Sequence, residues 1–170
     1  MLINLHAKKL IFLILFSSLL MSDDRFKNTN NVPNLKSFGD FLKWSFNRKR
    51  PTPIKIESSD EWKNFSELGE NYLIWIGHST FLINIEGTIV LTDPVFSDRA
   101  SPVKIAGPKR IIPPAMQIKD LPEIDVVTVS HNHYDHLDIP SLKKLSAKNP
   151  KTLFLVPKGD RKLLNRKGIK

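Results

Sequence analysis

From residue 72 the chain alternates between short apolar runs and tight turn signals. Residues 72–76, 80–85 and 88–91 are rich in Ile, Leu, Phe and Val and are punctuated by Gly77 and Gly87, which predicts three strands joined by tight turns. Residues 94–122 lose this pattern and carry Pro94, Pro102, Pro108, Pro113, Pro114 and Pro122, so a long loop is expected there, of a kind that usually serves function. The continuous apolar run 126–129, bounded by Asp125 and Ser130, predicts a strand buried on both faces. Leu142 and Leu145 place a helix over about residues 139–148, a strand follows at 152–156, and a last helix runs to Arg166 with Gly168 as its stop.

Upstream the pattern differs. Lys8 and Lys9 precede an apolar run over 10–21 whose only polar members are Ser17 and Ser18. As a helix this run reaches only about 18 Å against a hydrocarbon core of about 30 Å, so it reads as an export or anchor signal or as a buried apolar helix, not as a span. Residues 22–37 are polar and Asn-rich, as in a linker. Residues 38–50 interleave Phe41, Trp44 and Phe46 with Lys43, Arg48, Lys49 and Arg50, either a contact with a membrane surface or an arm packed back on the domain. Ser58 and Glu61 have capping-box spacing, and Trp62, Phe65 and Leu68 follow at helical intervals, predicting a short helix that ends near Gly69. The expected organisation is a signal or anchor-like segment at 1–22, a linker and basic-aromatic arm at 23–56, and a folded α/β domain at 57–170.

Composition narrows the chemistry. The 170 residues include no cysteine, which excludes disulfide scaffolds, Cys-ligated metals and cysteine nucleophiles, so any metal must be held by His and carboxylate. The net charge of +9 conceals a split: residues 1–56 carry +7, residues 57–141 carry −7 and residues 142–170 carry +9. The acidic middle would repel a phosphate backbone, so no nucleic-acid partner is expected, and the basic flanks suit a membrane surface or another protein segment.

Three of the five histidines lie in the hexapeptide HNHYDH at 131–136, directly after the apolar strand. In an extended chain His131 and His133 project to the same side and can reach one metal ion. A turn after them swings Asp135 and His136 toward a second. Imidazole with carboxylate suits Zn²⁺ best, with Fe²⁺ or Mn²⁺ as alternatives.

An HxHxDH string after an apolar strand resembles the signature of the metallo-β-lactamase superfamily. The strings WIGHST at 75–80, LTDPVFSDRASP at 91–102, GPKR at 107–110, LPEIDVVTVSHNHYDHLD at 121–138 and VP at 156–157 narrow the resemblance to the branch of N-acyl-phosphatidylethanolamine-hydrolysing phospholipase D. The resemblance covers about residues 38–160, the N-terminal half of a family member. It implies half of an αββα sandwich and a site for two zinc ions, with His131 and His133 on the first and Asp135 and His136 on the second. It further implies Asp135 as the catalytic residue that orients the attacking water, Asp93 as an orienter of a ligand imidazole, and a phospholipid-like substrate. Asp93 could equally be a turn-initiating residue before Pro94. His78 in WIGHST is expected mainly as a turn residue, with a place at the site as the alternative. Arg99, Lys109 and Arg110 are candidates for binding a phosphate.

The superfamily's remaining ligands lie well downstream of this signature, and no histidine follows His136 here. The expectation is therefore a truncated or split chain that pairs with a separately encoded C-terminal half. An inactive remnant or metal-binding module, and a lactonase or other hydrolase of the same fold, are the competing readings.

Overall fold

A computed structural model describes residues 30, 37–47, 52, 61–64, 67–103 and 105–169. The apolar run at 10–21, most of the linker and residues 48–51 lie outside the described residues. The chain divides into two units, residues 1–52 and 53–170.

In the first unit, helix α1 (Phe38–Asn47) lies in the basic-aromatic segment. Its start is a reciprocal capping box: the Asp40 amide donates to Ser37 Oγ at 3.1 Å, and the Ser37 amide donates to Asp40 Oδ2 at 2.9 Å. Leu42, Trp44 and Phe46 are exposed, Phe46 by 86%.

The second unit is built on a five-stranded sheet of sequential order, β1 (Asn71–Gly77), β2 (Thr80–Ile85), β3 (Thr88–Thr92), β4 (Val126–Thr128) and β5 (Leu153–Leu155). The first three strands are antiparallel neighbours, whereas β3–β4 and β4–β5 pair in parallel. A two-residue turn, Glu86 and Gly87, joins β2 to β3. Both residues have positive φ (49° and 86°), which matches the right-handed twist of the flanking strands.

Helices α2 (Ile139–Lys148) and α3 (Arg161–Arg166) follow β4 and β5. Leu142, Leu145 and Leu164 belong to one buried cluster with Ile76, Leu82, Leu91 and Val127 of the sheet. α3 ends in a Schellman motif: the Ile169 amide donates to the Leu164 carbonyl at 3.1 Å across Gly168 at φ 79°, and both aliphatic side chains enter the core.

Period 2 divides the sheet into two unlike faces. On one lie Ile76, Leu82, Leu91 and Val127, each 2% exposed or less. On the other lie Leu73, Trp75, Ile85, Leu153 and Leu155, each between 46% and 64% exposed. The sequence predicts a strand at 126–129 buried on both faces, but Val126 and Thr128 are only half-buried because nothing among the described residues covers their side of the sheet. An open apolar face of this extent marks a surface made to be covered.

Of the short helix expected to end near Gly69, residues 58–60, 65 and 66 lie outside the described residues; those described form a 3₁₀ turn at Glu61–Lys63 and a further turn closed by the Glu67 amide on the Asn64 carbonyl. Trp62 still packs partly against the core. The proline-rich segment is irregular as expected. It folds back on itself through an isolated bridge between Arg99 and Lys109, then makes a short 3₁₀ turn at Ile118–Asp120.

Candidate metal centre

The parallel strands β3, β4 and β5 all point their C-terminal ends to one edge of the sheet, where open α/β sheets commonly place their sites. Asp93 follows β3, the HNHYDH segment follows β4, and Asp160 lies in the loop after β5. The β1–β2 hairpin contributes His78 to the same edge. All four histidines among the described residues therefore meet here.

The segment is not extended throughout. After His133 it winds one turn, closed by the His136 and Leu137 amides on the His133 carbonyl at 2.9 and 2.7 Å, and α2 begins only at Ile139. This turn separates the ligand groups into two trios that share Asp135: His131, His133 and Asp135, and His78, Asp135 and His136. In each trio the candidate ligand atoms lie within 4.8 Å of one another. His131 Nε2 and His133 Nδ1 are 3.1 Å apart. Two imidazole nitrogens bound to one tetrahedral zinc stand about 3.3 Å apart, so this pair fits an ion with little movement. Asp135 Oδ2 lies 3.4 Å from His78 Nε2 and 3.6 Å from His136 Nε2.

Asp93 takes the orienting position. Its Oδ2 accepts from His136 Nδ1 at 2.8 Å and from Ser130 Oγ at 2.8 Å, and its Oδ1 accepts from the Ser130 amide at 2.7 Å. Burial alone would raise its pKa, but the hydrogen bond from His136 and those from Ser130 prevail and hold it below the usual carboxylate range. With Nδ1 so engaged, His136 presents Nε2 to the site. Asp93 itself sits at φ 37°, an unfavourable conformation for a non-glycine residue. Neighbouring threonines hold it there. Buried Thr80 donates to the Asp93 carbonyl at 2.7 Å, and Thr92 Oγ1 ties β3 to the β1–β2 turn through the Ser79 carbonyl at 2.8 Å.

His78 combines both of its expected parts. It occupies the β1–β2 turn at φ 53°, with its carbonyl accepting from Trp75 Nε1 at 2.8 Å, and its imidazole joins the second trio. The phosphate-binding expectation fares differently for two of its cations. Arg110 turns inward, donating from Nη2 to the Val95 carbonyl at 2.5 Å and from Nε to the Ser97 carbonyl at 3.3 Å, and Arg99 Nη1 donates to the Gly107 carbonyl at 2.8 Å. Both brace the proline-rich loop.

Two anchors of the ligand segment were not singled out from the sequence. Buried Asp138 accepts from the Ser97 amide and hydroxyl at 3.0 and 2.9 Å, from the Phe96 amide at 3.2 Å and from Ser141 Oγ at 2.5 Å, and so ties the segment to the loop after β3. Asp160 Oδ1 accepts from Asn132 Nδ2 at 3.2 Å and ties it to the loop after β5. The "HLD" and "GD" strings carry the residue types, but the partners other than Ser141 stand 28 to 42 positions away, beyond any local spacing rule.

A family model described as a beta-lactamase superfamily domain matches residues 88–170. Over those residues the chain resembles the metallo-β-lactamase superfamily. Within it, the chain is similar to N-acyl-phosphatidylethanolamine-hydrolyzing phospholipase D 1 of Caenorhabditis elegans, at 42% identity over 117 residues, which are 69% of this chain and 32% of that protein. It is also related to a UPF0173 metal-dependent hydrolase of Hyperthermus butylicus, at 36% identity over 66 residues, 39% of this chain and 24% of the relative. Among solved structures it is similar to Igni18, a metallo hydrolase from Ignicoccus hospitalis, with 21% identity, a TM-score of 0.42, and coverage of 58% of this chain and 36% of that one. The chain thus spans a third or less of the curated relatives named here.

Proposed function

We propose that this chain supplies the first ligand cluster of a zinc-dependent phosphodiesterase that acts on N-acyl-phosphatidylethanolamine or a similar phospholipid. The observation that carries the reading is the convergence of His131 Nε2 and His133 Nδ1 at 3.1 Å beside a second trio sharing Asp135. Zinc is favoured by the all-nitrogen-and-oxygen donor set. When bound, such metals acidify water and offset negative charge that develops on phosphoryl oxygens. His131 and His133 hold one ion, and His136 with Asp135 holds the other. Asp135, with its side chain 45% exposed, also faces solvent, where its carboxylate can orient the attacking water. The similarity to the nematode phospholipase supports the substrate class.

The same reading assigns a partner to the open sheet face. A second sheet, carried by further polypeptide, would cover Leu73, Trp75, Ile85, Leu153 and Leu155 and bring the remaining ligands to the shared edge. The expected consequence is weak metal binding by the 170-residue chain alone. Calorimetric titration with Zn²⁺ should give binding that a mild chelator reverses, and His131→Ala with His133→Ala should remove it. Two equivalents of zinc surviving dialysis would show that the chain already contains a closed site, and the reading of an incomplete one would fail.

Membrane association is the second part of the proposal. Among the described residues no helix is long and apolar enough to cross a membrane. Support comes from α1, which exposes Leu42, Trp44 and Phe46 next to Lys43. Apolar burial plus attraction to anionic lipid gives reversible surface binding. The chain should co-sediment with vesicles containing phosphatidylglycerol, and Trp44→Ser with Phe46→Ser should leave a weaker attachment that about 0.5 M salt, roughly three times physiological strength, removes. A chain that stays in the supernatant at low salt has no such surface.

A further inference from the structure

We infer that Ser130 is a positioning residue that carries the charge of Asp93 to His131 and fixes which nitrogen of that ring is bare. The inference rests on the metal-site reading for its purpose but not for its geometry. Ser130 Oγ has three polar neighbours: Asp93 Oδ2 at 2.8 Å, His131 Nδ1 at 3.0 Å and His136 Nδ1 at 3.2 Å. A hydroxyl has one proton to give and two lone pairs to receive. A carboxylate is ionised at neutral pH and can only accept, and that of Asp93 receives both the Ser130 hydroxyl and the Ser130 amide. The Ser130 proton therefore goes to Asp93. Its oxygen can then only accept at His131 Nδ1, so His131 carries its proton on Nδ1.

The same logic fixes His136, whose Nδ1 lies 2.8 Å from Asp93 Oδ2 and donates there directly. One carboxylate thus sets two imidazoles, His136 by contact and His131 through a hydroxyl. Both rings are left with a bare Nε2. That of His131 faces His133 Nδ1 at 3.1 Å, and that of His136 faces Asp135 at 3.6 Å. These are the atoms the two trios offer to a cation. Free imidazole favours neither arrangement strongly enough to guarantee this, so the hydroxyl removes a tautomer that would point a proton at the metal. The Ser130 amide, donating to Asp93 Oδ1 at 2.7 Å, locks the relay to the backbone at the point where β4 gives way to the ligand segment.

The test uses the full chain, stripped of metal with a chelator, labelled with ¹⁵N-histidine and examined at pH 8 by long-range ¹H–¹⁵N spectroscopy. In the unsubstituted protein His131 and His136 should both show a protonated Nδ1 and a bare Nε2. Ser130→Ala should shift His131 toward the opposite tautomer while His136, still held by Asp93, stays unchanged. Ser130→Thr, which keeps the hydroxyl, should restore the original His131 signal. Zinc affinity, read by competition with a chromophoric chelator, should fall about tenfold in Ser130→Ala and recover in Ser130→Thr.

A protonated Nε2 on His131 in the unsubstituted protein would overturn the inference, and this measurement needs no variant to fold. An unchanged His131 tautomer in folded Ser130→Ala would overturn it as well. The tautomers are read without metal. A chain that binds no zinc but shows the expected pattern would therefore count against the metal-site reading and leave the relay standing.

Discussion

Asp135→Asn should abolish zinc-dependent hydrolysis in any assembly that completes this site, with a loss of at least about a thousandfold, or about 4 kcal/mol of barrier. The assembly needed for the measurement is a chimaera in which residues 53–170 replace the matching segment of the nematode phospholipase. The magnitude follows from the shared position of Asp135. Its Oδ2 lies 3.4 Å from His78 Nε2 and 3.6 Å from His136 Nε2, and its carboxylate also completes the trio of His131 and His133. Asparagine has almost the same shape, so the fold and the open sheet face should be undisturbed. It has no charge, however, and only one oxygen to serve a cation and an attacking water. Turnover of N-acyl-phosphatidylethanolamine is the measurement. Retention of more than a tenth of the rate would remove Asp135 from the chemistry. A chimaera that folds and binds zinc yet is inert before any substitution would favour the reading of this chain as a remnant.

Legibility of the fold in the sequence follows the range of the interactions involved. The three antiparallel strands were readable because period-2 apolar runs and glycine turns are local, and they fall at Asn71–Gly77, Thr80–Ile85 and Thr88–Thr92. Helices α2 and α3 were readable for the same reason. Helix α1 was not read as a helix because its aromatics and cations obscure any apolar stripe, although the Ser37 and Asp40 pair stood in the sequence as a start signal. Val126 and Thr128 defeated the both-faces reading because an apolar run reports the burial a strand is made for, and here the covering layer is not among the described residues.

The site divides in the same way. HNHYDH announces its candidate donors by local clustering, but the trio of His78, Asp135 and His136 depends on a hairpin turn far upstream that only the sheet brings near. His78 in isolation carries the signal of a turn residue, and its φ of 53° agrees with that role. Ser130 looks like the end of a strand until Asp93 is placed 2.8 Å from its hydroxyl. Short strings thus name the donors, while the tertiary fold decides which proton each donor carries.

The second large effect concerns what holds the ligand segment in place. Asp138→Ala should destabilise the domain by about 3 kcal/mol in urea unfolding, a large share of the 5–15 kcal/mol that a typical domain has. Asp138 is 5% exposed and stands just before α2, yet its carboxylate does not cap that helix. It reaches instead to the loop after β3. Oδ2 accepts from the Phe96 amide, the Ser97 amide and Ser141 Oγ, and Oδ1 accepts from Ser97 Oγ. Alanine would leave the Ser97 amide without this partner in a half-buried loop, and Phe96 would retain only its 2.9 Å bond to Ser141 Oγ. Asparagine is the discriminating variant. With its oxygen in the Oδ2 position it keeps three of the four bonds, and Ser97 Oγ can rotate to accept from the amide nitrogen, so the cost should fall to about 1 kcal/mol. The gap between the two variants separates lost hydrogen bonds from lost charge. Equal costs would mean that the charge itself matters, through its attraction to the partly buried Arg110 guanidinium. Because Asp138 follows His136 and Leu137 directly, loosening it should also lower zinc affinity more in the alanine variant than in the asparagine one. An alanine variant as stable as the parent would mean that the ligand segment is held chiefly at its other end, by Asp93 and Ser130.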